Sequence, residues 1–193
     1  EGMTDGFDDG ADGTGMGEGS VVFVLKPLGN AIADGEATVT GLLNSEDVRS
    51  TAACLTQLGV TLTEGRVVGR CGQLSAPEAT LDCGNSGTTM RLLLGVLAGQ
   101  PFDARLTGDG SLRKRPMARV TGPLATLGAA FEGPAEHPPL QIRGGSITNA
   151  HITSRVASAQ VKTAVMLAAI QGEGRLTYTE PVLSRDHTER MLG

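Results

Sequence analysis

A chain of 193 residues, 39% of them hydrophobic, is long enough for one large core or two small ones, and its 28 glycines and 3% aromatics point to tight turns around a core of Leu, Val and Ala, with too few rings for a nucleic-acid surface built on base stacking. The formal charge of −5 arises at the beginning, where residues 1–20 hold six acids and no Lys or Arg; the remainder carries +1, so its cations are available for local work on small anions. Cys54, Cys71 and Cys83 form no C-x-x-C pair and have no His at zinc spacing, no run approaches a membrane span, and the start lacks a signal peptide's basic and apolar regions, so the expectation is a reduced, cytoplasmic chain with no metal, no cofactor and no membrane contact.

In chain order, 1–20 reads as a disordered acidic Gly-rich leader with almost nothing to bury. Asp8, Asp12 and Gly13 suggest a calcium loop, but the carboxylate required at its twelfth position falls on Gly19. Val21–Leu25 is an expected strand. A helix opens at Asn44-Ser45-Glu46-Asp47, turns Val48, Cys54, Leu55 and Leu58 inward, stops at Gly59 and hands over to a strand at Val60-Thr61-Leu62. Arg66–Arg70 is a further strand. A loop of small polar residues from Leu81 then runs into the apolar stripe of Met90, Leu93, Leu94 and Leu97, giving a helix within Asn85–Ala98.

Phe102–Leu106 reads as a strand, followed by the basic loop Thr107–Met117. A helix opening at Pro116, with Met117, Val120, Leu124 and Leu127 on one face, stops at Gly128 before a strand at Ala129–Phe131. The two stop glycines lie 69 residues apart, and the same step forward reaches a third helix start at Ser184–Leu192, with Asp186 and Glu189 in its first turn. Between these come a strand at Leu140–Arg143, a helix within Ser158–Ile170 and a strand at Arg175–Thr179. The pattern is a repeat of strand, helix, strand, helix and hairpin.

Four motifs could grip an anion. The loop Gly84–Thr88 offers backbone amides at a helix start, where the dipole favours negative charge; its plain alternative is an Asn/Ser helix cap. Arg115 offers a planar fork for a carboxylate or phosphate, whereas Arg113 and Lys114 raise the local field or face solvent. Ser158 and Gln160 open an apolar helix, and Ser184 and Arg185 precede another. His187 has the right intrinsic pKa for a general base, but it falls inside the first turn of a helix and is set aside.

Taken in order, Asp82-Cys83-Gly84-Asn85-Ser86-Gly87-Thr88-Thr89, Arg113-Lys114-Arg115-Pro116, Ser158-Ala159-Gln160 and Ser184-Arg185-Asp186-His187-Thr188-Glu189-Arg190 resemble the 5-enolpyruvylshikimate-3-phosphate synthase family, from Val21 to the last residue. The resemblance implies an α/β (α+β) fold of repeated βαβαββ units from an inside-out barrel, with 21–193 supplying about two and a half units of roughly 70 residues. It implies a 3-phosphoshikimate 1-carboxyvinyltransferase, transferring the enolpyruvyl group of phosphoenolpyruvate to the 5-hydroxyl of shikimate-3-phosphate in aromatic amino acid biosynthesis. Asn85, Gly87, Thr88 and Arg115 would bind phosphoenolpyruvate; Ser158, Ala159, Gln160, Ser184 and Arg185 would bind shikimate-3-phosphate. Ala159 stands where many members have a second Ser, removing one phosphate hydrogen bond. Gly87 matches the glyphosate-sensitive pattern, which makes glyphosate a further expected ligand.

Two departures qualify the resemblance. Members have a Lys, a Ser and an Arg in a dozen-residue segment where this chain has only Leu28-Gly29-Asn30 between Lys26-Pro27 and Ala31, and Lys26 does not replace them. The family's proton-transfer residues match nothing here, so the catalytic residues are unknown and the chain is expected to be a fragment with impaired or no activity alone. A related transferase acting on a nucleotide sugar fits the Arg-Lys-Arg-Pro and Ser-Arg-Asp-His runs less well. A different class of reading is a non-catalytic, phosphometabolite-binding half-enzyme that assembles with a complementing C-terminal half or with itself; a nucleic-acid-binding protein is the weakest.

Overall fold

The computed structural model describes residues 35–38, 43–63, 66–69, 73–133, 135–147, 149–172 and 175–192. The acidic leader, the Val21–Leu25 strand and the shortened 26–34 segment lie outside them.

The central unit shows the repeat in full. Strand β4 (Leu81–Asp82) leads into helix α2 (Gly87–Ala98), strand β5 (Asp103–Thr107), a single 3-10 turn (Leu112–Lys114), helix α3 (Ala118–Thr126) and the strands β6 (Ala130–Glu132) and β7 (Leu140–Arg143). This is β-α-β-α-β-β, folded as one sheet of order β4-β5-β7-β6. β4 and β5 are parallel, as a helical crossover requires, while β7 is antiparallel to both β5 and β6.

The preceding segment repeats the last four of those elements. β1 (Glu36–Thr38), α1 (Glu46–Gln57), β2 (Thr61–Thr63) and β3 (Arg66–Val68) form an antiparallel sheet of order β1-β3-β2, matching β5-β7-β6. Gly59 (φ 89°) and Gly128 (φ 115°) end the corresponding helices in the left-handed region, where a side chain would be strained. The following segment repeats the first four: β8 (Ala150–Thr153), α4 (Ala159–Ala169), a parallel β9 (Leu176–Thr179) and α5 (His187–Leu192). The architecture is therefore mixed α/β, with open sheets and recurring βαβαββ units.

The core lies between the central sheet and its helices. Leu81, Leu106, Leu140 and Ile142 from the strands meet Leu94 and Leu97 of α2 and Leu124 of α3, all fully buried. Burying such a side chain contributes about 1.5–3 kcal/mol, which explains how a core so poor in aromatics holds. The most extensive helix contact is α2 against α4. It is tight because Gly95 faces Ala164, where an added Cβ would stand 2.2 Å from the Ala164 carbonyl oxygen.

Several boundaries differ from expectation: β2, β6 and β9 each start one residue later than Val60, Ala129 and Arg175, and three further differences involve α3, α5 and β5. Pro116 and Met117 lie outside α3, because the Met117 amide donates to the Glu136 carbonyl (2.7 Å) rather than starting the helix. Helix α5 starts at His187, not Ser184, since the Ser184 amide is spent on the Glu180 carboxylate (2.8 Å). β5 runs one residue later than Phe102–Leu106, with Ala104 and Leu106 buried and Asp103 and Arg105 outward.

Candidate anion-binding site

The site begins where the parallel strands β4 and β5 end. The loops that leave them lie side by side, joined by the Cys83 amide on the Thr107 carbonyl and the Asp109 amide on the Gly84 carbonyl, each 2.9 Å. The first loop enters α2 through Ser86, whose hydroxyl accepts the Thr89 amide (3.2 Å), so the small residues of 84–89 fix a helix start and its positive end at the sheet's edge.

The second loop brings Arg115 to that point. Arg115 ends the 3-10 turn in extended conformation, and its Nη2 donates to Asn85 Oδ1 (2.8 Å). Asn85 Nδ2 donates in turn to Asp109 Oδ2 (2.6 Å). Asp109 is braced by the amides of Leu112 (2.7 Å) and Ser111 (2.9 Å), and the Leu112 amide, followed by the Asn85 amide, holds its carboxyl below the ordinary carboxylate range. Asn85 thus relays a fixed carboxylate to a guanidinium, leaving the other edge of the fork to point elsewhere.

It points at Gly87. A Cβ built on Gly87 would stand 3.0 Å from Arg115 Nη1 and equally 3.0 Å from Nη1 of Arg91, a helix residue only 8% exposed. Two guanidinium groups therefore converge on the first residue of α2, at the positive end of its dipole. Like charges so placed favour an anion between them. Arg91 Nη1 also donates to Gln160 Oε1 (2.7 Å), and Gln160 Nε2 donates to Thr88 Oγ1 (2.8 Å), which ties the start of α4 to the start of α2.

The start of α4 has a second side. Ser158 caps it, its hydroxyl accepting the Val161 amide (3.4 Å), and Ala159 is its first residue. Lys162, one turn on, is 4% exposed; its Nζ pairs with Glu189 Oε1 (2.6 Å) and Glu180 Oε1 (3.1 Å). Burial pulls the Lys162 pKa down, but the bonds to Glu189 and Glu180 outweigh it and leave the ammonium raised. Glu180 also receives the Ser184 amide (2.8 Å) and hydroxyl (2.8 Å), and that amide is the main cause of its lowered pKa.

Of the residues singled out in the sequence, Asn85, Gly87, Thr88, Arg115 and Gln160 meet in one cluster, and Ser158 and Ala159 stand at the adjoining helix start. Ser184 joins α4 through Lys162, two residues from Gln160 and hence about 200° around the helix. Arg185 follows it and is exposed. Arg113 does more than face solvent, because its Nε closes the loop onto the Gly108 carbonyl (2.8 Å). Arg91, Lys162 and Glu180 were missed. The signal was there: Arg91 and Lys162 are lone cations inside apolar helical stripes, and buried charges are rarely tolerated without partners.

Comparison with known proteins supplies an independent finding. Residues 24–193 match the family model described as EPSP synthase (3-phosphoshikimate 1-carboxyvinyltransferase). The chain is 50% identical over 169 residues to the 3-phosphoshikimate 1-carboxyvinyltransferase of Bacillus velezensis, covering 84% of this chain and 40% of that protein. With the enzyme of the same name from Desulfitobacterium hafniense it shares 51% over 172 residues, covering 86% of this chain and 40% of the other. The solved EPSP synthase of Acinetobacter baumannii superposes with a TM-score of 0.76 at 40% identity, covering 89% of this chain and 42% of that one. The chain thus spans about 40% of the length of the curated relatives it matches.

Proposed function

Because the chain belongs to the EPSP synthase family, we propose that its two joined helix starts hold the substrates of enolpyruvyl transfer, phosphoenolpyruvate beside Gly87 and shikimate-3-phosphate along the start of α4. The observation that carries the reading is the convergence of Arg115 and Arg91 on Gly87. Phosphoenolpyruvate bears a carboxylate and a phosphate ester on the same carbon, and two forked cations over a helix N-terminus match that density of charge. Glyphosate, carrying the same two kinds of anion, competes for this seat.

Gln160 bridges the two seats, with its amide on Arg91 and Thr88, so ordering of one ligand is felt at the other. Ser158, Ser184 and Arg185 take the shikimate phosphate, and Ala159 contributes only its backbone. The reaction requires a proton delivered to the methylene carbon of phosphoenolpyruvate, making it a methyl group, as the 5-hydroxyl gives its proton to a base and its oxygen bonds to the central carbon; phosphate then leaves as a proton is lost from that methyl group and the double bond reforms. The cluster around Gly87 binds and orients the anions; its Arg, Asn, Gln and Thr side chains offer no acid and base for those transfers. This chain alone is accordingly expected to bind substrates without turning them over at an ordinary enzymatic rate, which phosphate release from the two substrates measures directly.

Titration of this chain with phosphoenolpyruvate in the presence of shikimate-3-phosphate tests the assignment. Arg115→Ala should weaken binding roughly tenfold or more, the equivalent of one or two charge-assisted hydrogen bonds. Unchanged affinity in a folded variant would overturn it.

A further inference from the structure

Lys162 is a buried cation one helical turn from the capping residue Ser158, and α4 carries it on the same face. Its ammonium does not reach open solvent. It lies 3.1 Å from Glu180 Oε1, 2.6 Å from Glu189 Oε1 and 3.5 Å from the Ser184 carbonyl. Glu180, itself buried to a similar degree, spends its carboxylate on Lys162 and on both the amide and the hydroxyl of Ser184. Three donors thus converge on one carboxylate, and the 180–184 turn is drawn onto α4 at Lys162, one turn from Ser158. Thr163 Oγ1, at 2.6 Å from Thr188 Oγ1, secures α5 against the next position of the same helix.

We propose that Lys162 is a positioning residue, acting through Glu180 to set the Ser184 hydroxyl and the following Arg185 beside Ser158, where the phosphate of the acceptor is bound. The inference rests on the reading that Ser184 and Ser158 share that phosphate, and it adds what neither serine can do itself. A loop serine holds one geometry only if its backbone is fixed, and a buried carboxylate can fix it only if a cation compensates its charge. Lys162 supplies that cation from a helix whose first turn is part of the same seat. Glu189 meets the same ammonium from α5, so the loop, α4 and α5 are tied together at Lys162.

The test compares two probes that differ by one group, shikimate-3-phosphate and shikimate, on this chain. Lys162→Met should lower affinity for the phosphorylated probe roughly tenfold, about one charge-assisted bond, and leave affinity for shikimate nearly unchanged. Ser184→Ala should reproduce that selective loss, and the double variant should lose no more than either single one, because both remove the same contact. Should Lys162→Met fail to fold, Glu180→Gln, which keeps the shape and an acceptor while removing the charge, replaces it in the same cycle with a smaller selective loss. Equal weakening of both probes, or additive losses in the double variant, would overturn the proposal. If the unaltered chain does not prefer shikimate-3-phosphate to shikimate, the substrate reading itself fails, and this inference with it; if it does and the variants retain the preference, only the role of Lys162 fails.

Discussion

Two neighbouring helix starts in this molecule handle positive charge in opposite ways. At the start of α2, Arg115 and Arg91 are brought within reach of the same glycine, and the Asp109 carboxylate is linked to Arg115 through Asn85. At the start of α4, Lys162 is buried and paired directly with two carboxylates, Glu180 and Glu189. The first arrangement concentrates positive field at one helix start. The second spends its buried cation on architecture and, in the reading proposed above, leaves a ligand the serine hydroxyls and the exposed Arg185. The lesson is that a cation's role is read from where its counter-charge sits, not from the cation itself.

The comparison is most sharply broken where the two helices cross. Gly95→Ala would set a methyl 2.2 Å from the Ala164 carbonyl oxygen and 2.7 Å from its Cα, both backbone atoms that cannot yield. The expected cost is about 3 kcal/mol, the upper range of core overpacking, seen as a fall in Tm of about 6–12 °C and as weaker binding at both seats. Loss at one seat only would mean that α2 and α4 are independent.

Arg115→Ala comes next, acting on ligand affinity rather than fold: roughly tenfold or more for phosphoenolpyruvate, with little change in Tm. Unfolding with intact affinity would place Arg115 among the structural residues. Gly87→Ala is gentler, because the 3.0 Å contacts fall on the far ends of two flexible side chains. A few tenths of an ångström of withdrawal should weaken glyphosate more than phosphoenolpyruvate in competition titrations, with Tm nearly unchanged.

Acidity separates the seats more modestly. Asp109 and Glu180 both have lowered pKa values, the first chiefly from the Leu112 amide and the second from the Ser184 amide. Their contribution to stability is therefore complete above the ordinary carboxylate range and is lost as pH falls through their depressed folded values. Lys162 has the opposite sign: raised by its two glutamates against the pull of burial, it stabilises below the ordinary lysine pKa and ceases to do so as pH rises through its higher folded value. Lys162→Met should erase the alkaline limb of a Tm-against-pH curve, and Asp109→Asn should reduce only the acid limb. The smallest effect belongs to Asp103→Asn on the central sheet, whose partner Arg143 is more exposed still; Tm should change little, since exposed pairs contribute about 0–1 kcal/mol.

Local chemistry decides much of what the sequence states outright. Ser45, Ser86 and Ser158 precede apolar helical stripes and cap them, and Gly59 and Gly128 end helices at equivalent places because only glycine accepts that backbone at no cost. These are nearest-neighbour effects, and so the repeat and the amide-rich loop are legible before any folding is considered. The errors fall where a carbonyl or carboxylate outside the helix holds an amide at its entrance: the Glu136 carbonyl takes the Met117 amide ahead of α3, and the Glu180 carboxylate takes the Ser184 amide ahead of α5.

What the sequence by itself determined is the three helix starts capped by Ser45, Ser86 and Ser158, the repeat, and a cation, Arg115, that stands ahead of a further helix. Which cations converge on a helix start and which pair with buried carboxylates was decided only in three dimensions, since Arg91 meets Gln160 across 69 residues and Lys162 meets Glu180 across 18. The physical reason is that electrostatic interactions in a folded chain depend on separation in space and on burial, and neither quantity is carried by a residue's neighbours along the chain.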